Sequence, residues 1–130
     1  MAYTMINFQD GTGEVPAHQH ANGGGWVADS AYVSLSAYVG TDVRVWGMAY
    51  VSGNATVTGN AIVSGHAIVR DNARVSGHAI VDADVRVNGN AVVSDHAIVC
   101  GNAVVSGNAW VSDDAIVCGN AIVSGNDIRK

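Results

Sequence analysis

The sequence is poor in the residues from which an ordinary globular core is built. Aromatic residues make up 6% of the 130, phenylalanine occurs once, and Leu35 is the only leucine. A compact core of Leu and Phe is thereby excluded. Pro16 is the only proline, and cysteine occurs twice. Basic residues never cluster along the chain, and the formal charge of -5 comes from scattered acidic residues. With no positive stripe to neutralise phosphates, nucleic acid is not an expected partner. No apolar run approaches the length of a membrane span. The opening residues, Met1 to Asp10, have neither the positive start nor the apolar core of a signal peptide. A soluble cytoplasmic product is the expectation, with no membrane partner.

Small residues and valine fill the space these absences leave. The run Val51-Ser-Gly-Asn-Ala-Thr-Val57-Thr-Gly-Asn-Ala-Ile-Val63 places a valine at every sixth position. The phase extends back through Val45, Val39 and Val33 to Val27 and forward to Val123, seventeen valines without insertion or deletion. Such strict short repetition points to a solenoid with a thin, uniform core. Within each hexad, Ala-x-Val places two small apolar side chains on one face of a very short strand, with x pointing away. The next three residues, typically Ser-Gly-Asn, must turn the chain. Between residues 54 and 126 the last turn position holds eight Asn, three His and two Asp. These residue types are enriched at positive φ, so the column that includes Asn54, Asn72, Asn90, Asn108 and Asn126 is expected to form the left-handed corners. Three strands and three corners close a triangular coil of eighteen residues.

Residues 1–25 carry no repeat. Gly11-Thr-Gly13, Pro16-Ala-His18-Gln-His20 and Asn22-Gly-Gly-Gly25, with Tyr3, Phe8 and Trp26 nearby, read as an N-terminal cap over the first coil's open edge. The repeat domain spans residues 26–130.

The hexad run resembles the hexapeptide-repeat superfamily, whose pattern is an aliphatic residue, a small or acidic one, two variable ones, a small one and a variable one. The resemblance covers residues 27–126. It implies an all-β fold, a left-handed parallel β-helix shaped as a triangular prism of about six coils, roughly 27 Å long at the spacing of adjacent strands. The left hand is implied by the resemblance alone, since ordinary parallel crossovers are right-handed. The segment from His20 through Trp26 to Ala31 also resembles hexapeptide-repeat proteins of bacteria and their phages.

Reading the sequence at a period of eighteen sorts the outward residues into faces. One reads Trp26, Arg44, Ile62, Ile80, Ile98, Ile116; a second Tyr32, Tyr50, Ile68, Arg86, Val104, Ile122; a third Tyr38, Thr56, Arg74, Val92, Trp110, Ile128. The Ile62-Ile80-Ile98-Ile116 ladder on a flat sheet is expected to be an oligomer interface, and the resemblance implies a parallel homotrimer. Cys100 and Cys118, stacked one coil apart beside that ladder, are close enough for a disulfide. A cytoplasmic setting points instead to free thiols packed at the interface.

Several histidines have metal or catalytic readings. His78, His96 and Asp114 share a corner column, and imidazole with carboxylate suits a divalent ion such as zinc. The same positions also read as turn sites where Asn, Asp and His interchange. His18 and His20 form a second two-histidine segment. The γ-class carbonic anhydrases, which the superfamily includes, use three histidines at a subunit interface, but His66, His78 and His96 do not reproduce that spacing. The superfamily's acyltransferases, which use coenzyme A or acyl-carrier protein, add a loop that interrupts the coils and a C-terminal helix. This chain shows neither, although His66, His78 or His96 has the chemistry of a general base. The expectation is therefore a non-enzymatic structural rod without cofactor, a homotrimer whose further partners are capsid or tail proteins. It would be a decoration, spike or tail-associated part, located in the virion if phage-encoded.

Overall fold

The computed structural model describes residues 4–7 and 13–130. Tyr3, Phe8, Gly11 and Thr12 of the expected cap lie outside the described residues. All regular structure among the described residues is β-strand.

From Trp26 onward the chain winds as the valine period predicts. Two-residue strands such as Ile62–Val63, Ile80–Val81 and Ile98–Val99 recur on every third hexad and pair in parallel, Ile80 lying opposite both Ile62 and Ile98. Three parallel stacks result, forming the sides of a triangular prism. Alanine and valine of each hexad both point inward, and Val45, Ala61, Val63, Ala79 and Val81 are fully buried. Val43 and Val85 take the alanine position in their hexads and are equally buried, so the core accepts the larger side chain there.

Backbone hydrogen bonds bind each coil to the next. Ile62 N–H donates to Ala79 C=O at 3.0 Å, Ser64 N–H to Val81 C=O at 2.9 Å and His66 N–H to Ala83 C=O at 2.9 Å. The ladder thus continues around the corner, and the chain can turn without stranding most of its buried polar groups.

The corners differ from the sequence expectation by one residue. Positive φ falls on the middle turn position, at Gly53, Gly89, Gly107 and Gly125 and at Asp71, Ala83, Asp95 and Asp113, and not on Asn54, Asn72, Asn90, Asn108 or Asn126. The turn runs from Ser52 to Ala55, whose N–H donates back to Ser52 C=O at 3.4 Å, with positive φ only at its first central residue. That is the φ signature of a type II′ turn, which selects glycine at the first central position. The asparagine column serves differently. Its N–H groups reach the next coil, and side chains ladder, Asn90 Nδ2 donating to Asn108 Oδ1 and Asn102 Nδ2 to Asn120 Oδ1, both at 3.3 Å.

The cap is a β-hairpin. β1 (Thr4–Asn7) pairs antiparallel with β2 (Glu14–Gln19), which pairs antiparallel with β3 (Trp26–Ala28), the first strand of the isoleucine face. Among the described residues only that sheet is extended; the adjoining loop closes the third face, where Gly25 N–H donates to Val39 C=O at 2.9 Å and Val39 N–H to Asn22 C=O at 3.0 Å. Ala17 and Ala28 are buried in a small cluster with Ile6, Val15, Trp26 and Trp46. The cap therefore has an apolar attachment of its own, separate from the valine core.

Candidate functional site

The coils proceed from residue 26 with turns of one length, and no loop leaves the prism to build a cleft. The surfaces that the described residues offer are the faces, the corners and the cap.

The isoleucine face is a straight ladder. Ile62, Ile80 and Ile98 are half-buried by their neighbours along the sheet, whereas Ile116 is 70% exposed. Arg44 and Trp26 continue the column toward the cap.

Beside that face, at the corner leading to the second face, the column reads Trp46, Ser64, Asp82, Cys100, Cys118. Asp82 Oδ1 accepts hydrogen bonds from Ser64 Oγ at 2.9 Å and from the Ala83 N–H at 2.7 Å. Cys100 and Cys118 are disulfide-bonded, which corrects the expectation of free thiols. The physical reason is the coil repeat: it sets the two Cα atoms 4.5 Å apart with both side chains leaving the corner in the same direction.

At the opposite corner of the isoleucine face, His78 and His96 stack with ring centroids 5.0 Å apart and planes within 2° of parallel. A depression of ≈ 580 Å³ there is lined by Gly77, His78, Asp95, His96, Asp113 and Asp114. Parallel rings send their nitrogen lone pairs in parallel, not toward a shared point, and Asp95 Oδ2 is already engaged by the Asp113 N–H at 3.1 Å. Among the described residues no group of three or more His, Cys, Asp or Glu is arranged to hold a metal ion. His66 stands apart, on the cysteine corner.

The cap histidines are separated in role. His18 Nδ1 lies 2.7 Å from Asp29 Oδ1 on an exposed surface. His20 is buried, and its Nε2 donates to Ala37 C=O at 2.9 Å, beside Asn22 Nδ2 at 3.2 Å. His20 thereby satisfies a carbonyl of the first coil.

One feature escaped the reading of the sequence, in which the basic residues never cluster. Tyr50, Ile68, Arg70 and Arg86 line a single depression of ≈ 340 Å³ on the second face. Three of them stand in one outward column, but Arg70 belongs to a corner and joins them only through the coil geometry.

Two segments, residues 49–65 and 97–113, match the family model described as YdcK Beta solenoid repeat. Each begins at an inward alanine and ends at a residue of positive φ, Gly65 or Asp113, but they start on different faces. The likeness is therefore at the level of the hexad. No curated protein and no solved structure matches the chain significantly. With its unbroken hexads wound into three parallel sheets of a triangular prism, the chain is a parallel β-solenoid of six-residue repeats, two segments of which are similar to the YdcK beta solenoid repeat.

Proposed function

We propose that the protein is a non-enzymatic structural rod that associates with itself, as a parallel homotrimer, through the isoleucine face. The observation that carries this reading is the in-register ladder Ile62-Ile80-Ile98-Ile116, a continuous β-branched strip on a flat sheet, ending in a side chain 70% exposed. A contiguous apolar strip of this kind on a soluble surface marks an interaction site. A prism with identical coils offers its copy a matching strip, so parallel packing sets isoleucine against isoleucine at every rung. The threefold count follows the superfamily resemblance. The uninterrupted coils support a structural role over an acyltransferase one, because substrate positioning needs walls that a plain prism does not supply.

The finer proposal is a decoration, spike or tail-associated part of a phage virion, which rests on the resemblance of the segment from His20 to Ala31. Copurification with capsid or tail particles tests it.

The association is tested with Ile80→Asp combined with Ile98→Asp, both at outward positions where the fold tolerates a polar side chain. Light scattering should report a trimer for the unaltered chain and a monomer for the double variant. A variant that remains trimeric overturns the interface. A saturable thermal shift with coenzyme A would overturn the non-enzymatic reading.

A further inference from the structure

The second face carries a feature that a plain rod does not require. Tyr32 and Tyr50 occupy successive rungs and stack, with ring centroids 4.7 Å apart and planes at 24°. The stacking braces Tyr50 as an upright wall at one end of the depression. Ile68, on the next rung, is half-buried and forms the floor. Arg86 follows on the rung beyond, and Arg70 leaves the adjoining corner two residues after Ile68.

Both arginines are exposed, and neither guanidinium has an ion-pair or hydrogen-bond partner among the described residues. In a chain with net charge -5 this is not for want of carboxylates. The acid next in sequence to Arg70 is Asp71, and its Oδ2 is committed to the Gly89 N–H at 3.0 Å. Two cations therefore flank one apolar floor with their donors unspent. An arginine fork matches a carboxylate in shape, and charge-assisted bonds are the stronger class of hydrogen bond. The volume of ≈ 340 Å³ lies at the small end of the range of about 300–1,000 Å³ typical of ligand sites.

We infer that this depression is a binding site for a small amphipathic carboxylate, with the carboxylate held by Arg70 and Arg86 and the apolar body lying on Ile68 against Tyr50. Charge alone does not define the ligand, because the guanidiniums sit beside an apolar floor. Apolar contact alone does not define it either, since the arginines would then remain unpaired. The bracing of Tyr50 by Tyr32 removes part of the ordering cost of the wall, so affinity depends on a surface already in place. The site is independent of the isoleucine face and stands whether or not the rods associate.

The probe is 4-phenylbutyrate, titrated into the full ¹⁵N-labelled chain and followed by amide chemical shifts. The expected result is a saturable shift at Tyr50, Ile68, Arg70 and Arg86, with half-saturation near about 1 mM for so open a site. Arg70→Gln and Arg86→Gln should each weaken binding about tenfold, the share of one charge-assisted pair. The neutral 4-phenylbutanol and inorganic phosphate should each bind at least about tenfold more weakly than the carboxylate. Equal binding of the alcohol would reduce the site to an apolar patch, and equal binding of phosphate to a charge effect; either overturns the proposal. So does an equal response at Arg44 and Arg74, or a titration that does not saturate by about 20 mM. The two ligand comparisons are made on the unaltered chain, so they decide the matter even if an arginine variant folds poorly.

Discussion

Gly65 lies against Ala83 of the following coil so closely that a Cβ on Gly65 would stand 2.7 Å from the Ala83 backbone nitrogen and 2.9 Å from Asp82 Oδ1. Both residues have positive φ, 66° at Gly65 and 65° at Ala83. The pair therefore shows the two demands on the middle turn position, left-handed backbone and close approach of the next coil. Gly65 meets both demands, and Ala83 tolerates the first at a cost.

Gly65→Ala should destabilise by about 1–3 kcal/mol, because the added methyl forces the Ala83 backbone to shift and the left-handed conformation is itself strained. Ala83→Gly should change stability in the opposite direction, by up to about 1 kcal/mol, since relief of strain exceeds the extra freedom glycine gives the unfolded chain. Chemical denaturation midpoints of the two variants check the opposite signs. A fall in stability for Ala83→Gly would show that the corner does not strain alanine.

The valines made the prism legible because burial of a thin core leaves no freedom in period: a single insertion would turn Val63 or Val81 from inside to outside. The corner chemistry was read one residue late. Asparagine, histidine and aspartate hold the last turn position uniformly, whereas the middle position mixes Gly53 with Asp71, Ala83 and Asp95. Uniformity drew the inference, but the requirement for positive φ lies where glycine is commonest. For Cys100 and Cys118 the spacing was readable and the pairing was not, because an expected reducing compartment outweighed a geometry that already allowed the bond. The hairpin cap has no period, so nothing in residues 14–20 announced that His20 would turn inward while His18 faced Asp29. The depression on the second face was missed because Arg70 and Arg86 meet only after the chain has wound through nearly a full coil.

Reduction of the disulfide should weaken the rod. The bond spans a sequence separation of 18 residues, and closing a loop of that size in the unfolded chain corresponds to about 3 kcal/mol. Denaturation midpoints measured with and without a reductant should differ for the unaltered chain and coincide for the Cys100→Ser, Cys118→Ser double variant. Equal midpoints in the unaltered chain, with the thiols shown to be free by alkylation and mass measurement, would remove the disulfide from the account of stability.

His20→Ala should loosen the cap without loosening the rod. It leaves the Ala37 carbonyl with the Asn22 amide at 3.2 Å as its side-chain partner, so loss of the one bond costs about 0.5–1.5 kcal/mol. In a solenoid, stability is passed between nearest neighbours, so the effect should fade along the axis. Amide hydrogen exchange should quicken at Gly25 and Val39 and stay unchanged at Val99 and Val105. Uniform acceleration over all coils would mean that the prism opens as one unit and that His20 is not a local closure.

The aspartates at positive φ give the sharpest test of the corner. Asp95, at φ 60°, is strained relative to glycine, yet its Oδ2 accepts the N–H of Asp113, a donor that the coil-to-coil ladder does not use. The side chain therefore offsets by a hydrogen bond what the backbone loses in conformation. Asp95→Asn keeps an acceptor and a residue type that tolerates the left-handed region, so its stability should stay within about 0.5 kcal/mol of the unaltered chain. Asp95→Gly removes the bond and the strain together, two changes of about 1 kcal/mol that oppose each other. Asp95→Val removes the bond and forces a β-branched residue to positive φ, and should cost about 2–3 kcal/mol. The order Asn and Gly above Val, read from denaturation midpoints, follows from the backbone whatever the rod binds. A valine variant as stable as the glycine one would mean that Asp95 relaxes out of the left-handed region, and with it the account of the whole middle-turn column would fall.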